Sequence, residues 1–214
     1  MKLYYLPGAC SLASHIMLHE VGAQFDIESV DTKEGRTQSG RVYREISPNG
    51  YVPALEIETG DYLTEGVAVL QHIADTHPER AFSPKPGSVA RARLQQFLNF
   101  AAAELHKSWG PLFTDGASAA EQDAAKAKVA TKFDHLESVL SDGRDYLVEN
   151  RFSVADAYTF VLVNWANFKE IDLSNWPSLA GFVARIQARP ATLAAMQAEG
   201  LVRGNLLMRW KLMD

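Results

Sequence analysis

The chain has 214 residues, 47% apolar and 22% charged, which suits one large or two small globular domains and excludes a disordered or collagen-like chain. Its net charge of −5 is uneven: residues 1–79 hold 5 Lys and Arg against 12 Asp and Glu, and residues 80–214 hold 16 against 14. The acidic first part would repel backbone phosphates, so nucleic acid is not expected as a partner, although local backbone donors can still hold a small anion.

No stretch offers the roughly 18 apolar residues of a membrane span. The start, MKLYYLPGAC, lacks the apolar run of a secretory signal, so a cytoplasmic protein without integral membrane association is expected. The single cysteine, Cys10, forbids an internal disulfide, and Ala13 stands where a CxxC redox pair needs its second thiol.

Residues 2–5 form a strand candidate that ends at Pro7-Gly8. Leu12, Ile16, Leu18 and Val21 suit a packed helix stopped by Gly22, and residues 25–30 alternate as a second strand. After a polar stretch, Ser47-Pro48-Asn49-Gly50 is turn chemistry, and residues 54–57 and 62–63 read as a hairpin around Thr59-Gly60-Asp61. Thr64 is then expected to cap a helix beginning at Glu65. The order βαβ followed by ββα makes a unit of 79 residues.

Residues 77–89, with three prolines and a glycine, read as a linker. Beyond it helical periodicity takes over: Leu94, Phe97, Leu98, Ala101 and Leu105 make one stripe, and Val129, Phe133, Leu136 and Leu140 another. Ser153 and Asp156 form a short capping box before a helix over 154–166 that is apolar on nearly every side. Trp176-Pro177-Ser178 opens a further helix that Pro190 ends. The tail from Leu201 to Asp214 mixes apolar and basic residues and is expected to pack on its own protein.

Among chemistry-bearing residues, Cys10 lies between strand and helix, where amides and the helix dipole favour a thiolate; an inert buried thiol is the alternative. Ser11 can cap the helix or donate to an incoming thiolate. A cis Val52-Pro53 bond would present the Val52 backbone in extended form. Glu65 suits a ligand amine, or simply the helix start, and Gly66 leaves anion contact to the backbone. Asn99, Ala103 and His106 share a face at helical spacing, flanked by Glu104 and Lys107, as a binding patch or a solvated face. His15, His19, His72 and His77 lack a convincing metal geometry, so no metal is expected. Neither a GxxxxGK phosphate loop nor a GxSxG elbow is present.

Six ordered motifs, KLYYLPGACSLASHI, NGYVPAL, LTEGVAVLQHIAD, NFAAAELHKSWGPLF, FSVADAYTF and DLSNWPSLAGF, resemble the bacterial beta class of glutathione transferases. The resemblance runs to about residue 200 and implies an α/β thioredoxin-like domain over 1–79, then an all-α helical bundle domain over 88–214, in a homodimer. It implies glutathione as co-substrate, with Cys10, Ser11 and His106 as candidate catalytic residues. Tyr51, Val52, Pro53, Glu65, Gly66, Asn99, Glu104 and Lys107 join Cys10 and His106 as glutathione contacts, Asn99 and Glu104 reaching across the dimer. Trp109, Phe113 and Trp165 would wall the pocket for a small hydrophobic electrophile, and the implied role is detoxification. Gly66 departs from the family, where serine is common, at a cost of about 1 kcal/mol for the missing hydroxyl. The activity expected is conjugation of the glutathione thiol. The alternatives are a monothiol oxidoreductase, lyase or dehalogenase working through a Cys10 mixed disulfide, and a non-enzymatic ligand-binding protein.

Overall fold

A computed structural model describes residues 1–203 and 206–207. The chain divides into two compact units, the first built from Met1–Ser83 together with the segment starting at Ala188, the second from Pro84–Gln187.

In the first unit β1 (Lys2–Tyr5) leads through the Pro7-Gly8 turn to α1 (Ser11–Val21), which Gly22 closes in the left-handed conformation at φ +74°. β2 (Asp26–Asp31) lies parallel to β1, as a right-handed crossover requires. A two-residue β3 (Arg36–Thr37), unmarked in the polar stretch of sequence, pairs antiparallel with β2. β4 (Ala54–Glu58) and β5 (Asp61–Leu63) form the expected hairpin, and the sheet order is β3-β2-β1-β4-β5. Tyr4, Val30, Tyr43, Ile46 and Ala54 pack together beneath Val52 and Tyr62. This core fixes the chain leading into β4.

α2 (Gly66–Asp75) starts one residue later than expected, and Thr64 does not cap it. Glu65 takes the capping position at φ +66° and ψ 106° without a side-chain cap bond.

The second unit opens with α3 (Val89–Phe100), capped by the Ser88 hydroxyl, which accepts from the Arg91 N–H. It continues through a π turn at Ala101–Leu105 into the short α4 (His106–Ser108). α5 (Ala119–Leu140) and α6 (Val154–Asn164) follow, and every residue of α6 is buried, as its all-round apolar sequence predicts. The Glu137 carboxylate of α5 accepts from the N–H groups of Ser178 and Leu179 and so caps α7 (Pro177–Gln187).

Pro190 does more than end α7. It opens α8 (Pro190–Ala198), a stretch expected within the second domain. Instead α8 packs on α1 in the first unit, and Arg189 just before it holds Glu20 through bonds of 2.6 and 3.0 Å. The chain passes to the second unit after Ser83, inside the 77–89 linker, and returns to the first unit at Ala188. Of the tail, β6 (Val202–Arg203) and β7 (Leu206–Leu207) pair antiparallel, and the rest of that expectation lies outside the described residues.

The Ser153–Asp156 box forms as read and is larger than expected. The buried Asp156 carboxylate accepts from the Ser153 N–H at 2.8 Å, the Ser153 hydroxyl at 2.6 Å and the distant Leu147 N–H at 2.8 Å. Even so, burial wins over these bonds and pushes its pKa up to about 6. Asp156→Ala strands two buried amides and is expected to cost about 3 kcal/mol in urea unfolding. Because the folded pKa is raised, folding favours the neutral acid, and that contribution is full below about pH 4 and lost as pH rises through about 6. The unfolding free energy of wild type should therefore fall more steeply over that window than that of Asp156→Asn.

Candidate functional site

In the first unit the β1–α1 turn is built around three fixed points. Gly8, at φ +72°, points its N–H at the carboxylate of Glu199, 2.9 Å away just beyond α8. The same carboxylate meets His15 Nδ1 of α1 at 2.9 Å, with both side chains essentially inaccessible. Burial raises the Glu199 pKa against the lowering effect of these bonds. Above them the Ser11 hydroxyl accepts from the Leu6 N–H and donates to the Leu6 carbonyl, each at 3.2 Å.

Ser11 is thus not the helix cap. It is completely buried and its hydroxyl is committed to the turn.

Cys10 takes the capping position of α1, and its thiol donates to the Val52 carbonyl at 3.2 Å. The residue is only partly exposed, and protein encloses the sulfur. Desolvation pushes the thiol up to about 12, with the charges of Glu199 and Glu65 acting in the same direction. The amides of Cys10 and Ser11 favour the anion, as the sequence suggested, but they lose to burial. At neutral pH Cys10 is a thiol and a hydrogen-bond donor.

The Val52–Pro53 bond is cis. The preceding Tyr51 carbonyl accepts from the hydroxyls of Tyr43 and Ser47, both at 2.9 Å, while the Tyr51 side chain is 73% exposed. The segment is anchored by its backbone and open at its side chain. Pro53 is buried against the start of α2, where a Cβ on Gly66 would sit 3.5 Å from its Cδ, an ordinary contact distance.

Glu65 is exposed, its carboxylate has no hydrogen-bond partner among the described residues, and its positive φ is costly for a residue other than glycine. Cys10, Tyr51, Val52, Pro53, Glu65 and Gly66 are therefore gathered in one unit: a strained acid, a free helix start, a thiol and a fixed strand edge. Such a set can hold an extended peptide-like ligand that bears an amine and a carboxylate.

The second unit carries the other candidates. His106 Nδ1 lies 3.0 Å from the Tyr158 hydroxyl, and its ring meets Trp165 edge-on at 5.0 Å. Burial, aided by the charge of Lys107, lowers its pKa to about 4. At neutral pH the ring is uncharged, so it acts through hydrogen bonds and not as the cation that a free histidine could become. The tautomer sets the direction of this bond: with the imidazole proton on Nε2 the Tyr158 hydroxyl donates to Nδ1, and with it on Nδ1 the hydroxyl accepts.

The π turn falls between Asn99 and His106, so the simple helical spacing assumed from sequence does not hold there. Asn99, Ala103, Glu104 and Lys107 are exposed, whereas His106 is drawn inward. Glu104 pairs with Lys132 of α5 at 2.7 Å.

Trp109 is completely buried and Trp165 nearly so, leaving Phe113, 40% exposed, as the open face of the aromatic cluster. Phe113 meets Trp165 at 5.1 Å and Trp109 at 6.2 Å. As a wall Trp109 acts only from behind, because its ring fills the core beside Phe133.

Sequence reasoning missed Glu199 and Tyr158. Tyr158 had a legible signal, since a buried hydroxyl on an apolar helix needs a partner. Glu199, 191 positions from Gly8, had none. Among the described residues no group of three His, Cys, Asp or Glu could hold a metal ion, and no helix is long and apolar enough to cross a membrane.

Residues 1–75 match the glutathione S-transferase N-terminal domain and residues 100–190 the glutathione S-transferase C-terminal domain. The chain is 39% identical over 201 residues to glutathione S-transferase GstA of Escherichia coli O157:H7, covering 94% of this chain and all of that one. A beta-class glutathione S-transferase of Sphingomonas chungbukensis superposes with a TM-score of 0.91 at 42% identity, over 94% of this chain and all of the other. A sphingomonad glutathione S-transferase complexed with glutathione does so with a TM-score of 0.90 at 41% identity and the same coverage. With both halves matched in order and the relatives covered from end to end, the chain belongs to the glutathione S-transferase family.

Proposed function

We propose that the protein conjugates the thiol of glutathione to small hydrophobic electrophiles. The observation that carries this reading is the Cys10 thiol, held protonated and turned onto the Val52 carbonyl. A protein thiol with a pKa of about 12 is a poor nucleophile at neutral pH but a competent donor to the sulfur of a bound ligand.

In this reading the glutathione backbone pairs with Val52 as an added strand, beside Tyr51 and Pro53. Glu65 receives the γ-glutamyl amine and the Gly66 amide its carboxylate. Asn99 and Glu104 serve a second copy in a homodimer, and the roles of His106, a neutral imidazole, and Lys107 toward glutathione follow from the family resemblance alone. The thiol proton passes to solvent, the thiolate attacks the electrophilic carbon, a sulfur–carbon bond forms, and the leaving group departs with its electron pair. Phe113 and Trp165 hold the electrophile. A cytoplasmic location and a role in detoxification belong to the same reading.

Two substitutions test it. Cys10→Ala should keep conjugation of an activated aryl chloride, losing only one weak donor, a factor of about 5 in kcat/KM. Abolition of turnover by that change, together with a 1:1 protein–glutathione disulfide trapped on the wild type, would establish the monothiol cycle instead.

Gly66→Ser meets no steric obstacle, since its Cβ has an ordinary contact with Pro53 and Gly66 has no positive φ. The added hydroxyl at the start of α2 should lower the KM for glutathione about fivefold, with kcat little changed. An unchanged or raised KM would place the γ-glutamyl group elsewhere.

A further inference from the structure

Lys169 follows the helical turn Trp165–Asn167 and is fixed beside it by its own backbone. Its N–H donates to the Trp165 carbonyl at 3.1 Å, Glu170 turns left-handed at φ +55°, and the Ile171 N–H returns to the Ala166 carbonyl at 3.0 Å. The chain reversal directs the Lys169 side chain over the aromatic cluster. Its Nζ lies 4.2 Å from the centre of the Phe113 ring.

This cation is half-buried, and among the described residues no carboxylate pairs with it. Burial alone lowers its pKa, with no opposing acid to restore it. The ring face compensates part of the lost hydration, but it supplies no hydrogen-bond acceptor of its own kind for three N–H groups. A desolvated ammonium beside an open aromatic face is complementary to a planar ring that carries an anionic substituent.

We propose that Lys169 is a specificity-determining residue that selects aromatic electrophiles bearing a carboxylate. The ring of such a substrate lies against the exposed side of Phe113, which Trp165 backs, while its carboxylate accepts from Lys169 Nζ. The inference rests on the reading of Phe113 and Trp165 as the electrophile wall.

The test compares chlorodinitrobenzene, which is neutral, with chlorodinitrobenzoate, in wild type, Lys169→Met and Lys169→Arg. Lys169→Met should raise the KM for the benzoate about tenfold and leave that for the neutral compound within about twofold, and Lys169→Arg should restore most of the loss. Equal effects on both compounds, or none on either, would overturn the role of Lys169 while leaving the transferase reading intact. Binding is read separately by quenching of tryptophan fluorescence with dinitrobenzoate and dinitrobenzene, which form no conjugate. If wild type turns over neither chlorinated compound, the transferase reading fails, and a selective loss of dinitrobenzoate binding in Lys169→Met still supports the anion site. Equal binding of dinitrobenzoate by wild type and Lys169→Met would refute it.

Discussion

A buried carboxylate organises the first unit. Glu199 reaches the β1–α1 turn from the far end of the chain and holds both the Gly8 amide and His15. Removing a carboxylate from water costs several kcal/mol unless its lone pairs are used, and here the turn and helix α1 supply the donors. The site therefore depends on α8 returning to the first unit, which Arg189 and Glu20 secure. What the network positions is Cys10, two residues beyond Gly8. The enclosure that gives the turn its shape also keeps the cysteine sulfur protonated.

Desolvation is the common theme of the reactive groups. Cys10 is held neutral against two helix amides, and His106 is held neutral although Tyr158 is at hand to orient it. Asp156, with three donors, is still shifted upward. In each case partners fix geometry and burial decides charge. Neutral donors fit the proposed chemistry, in which the sulfur of the incoming ligand is the atom that becomes anionic. Lys169 is the counterexample that suggests selectivity: a cation kept on an aromatic face with no carboxylate paired to it among the described residues.

Much of the fold was legible because its signals are local. Pro7-Gly8, Gly22, the Thr59-Gly60-Asp61 turn and the Ser153–Asp156 box each act over a few residues and appear where the sequence put them. The two-domain grammar was equally plain in the change from alternating to helical periodicity. Legibility failed where distance or geometry overrides spacing. The π turn at Ala101–Leu105 changes the faces that helical counting assigns to Asn99 and His106, and nothing in AAAEL announces it. Ser11 stood in the right motif, but its hydroxyl is consumed by Leu6, a contact that depends on how tightly the turn closes. The destination of α8 and the partnership of Glu199 depend on residues 169 to 191 positions apart, beyond any local pattern.

The single cysteine serves the site as a thiol and not as a thiolate. Because the chain has only Cys10, its titration is free of overlap from other thiols, and ultraviolet thiolate absorbance of the unliganded protein, paired with its alkylation rate, reads it directly. No thiolate step is expected between about pH 6 and 10, with alkylation rising only toward the high end. A step near neutral pH, with fast alkylation there, would contradict it and make Cys10 the nucleophile.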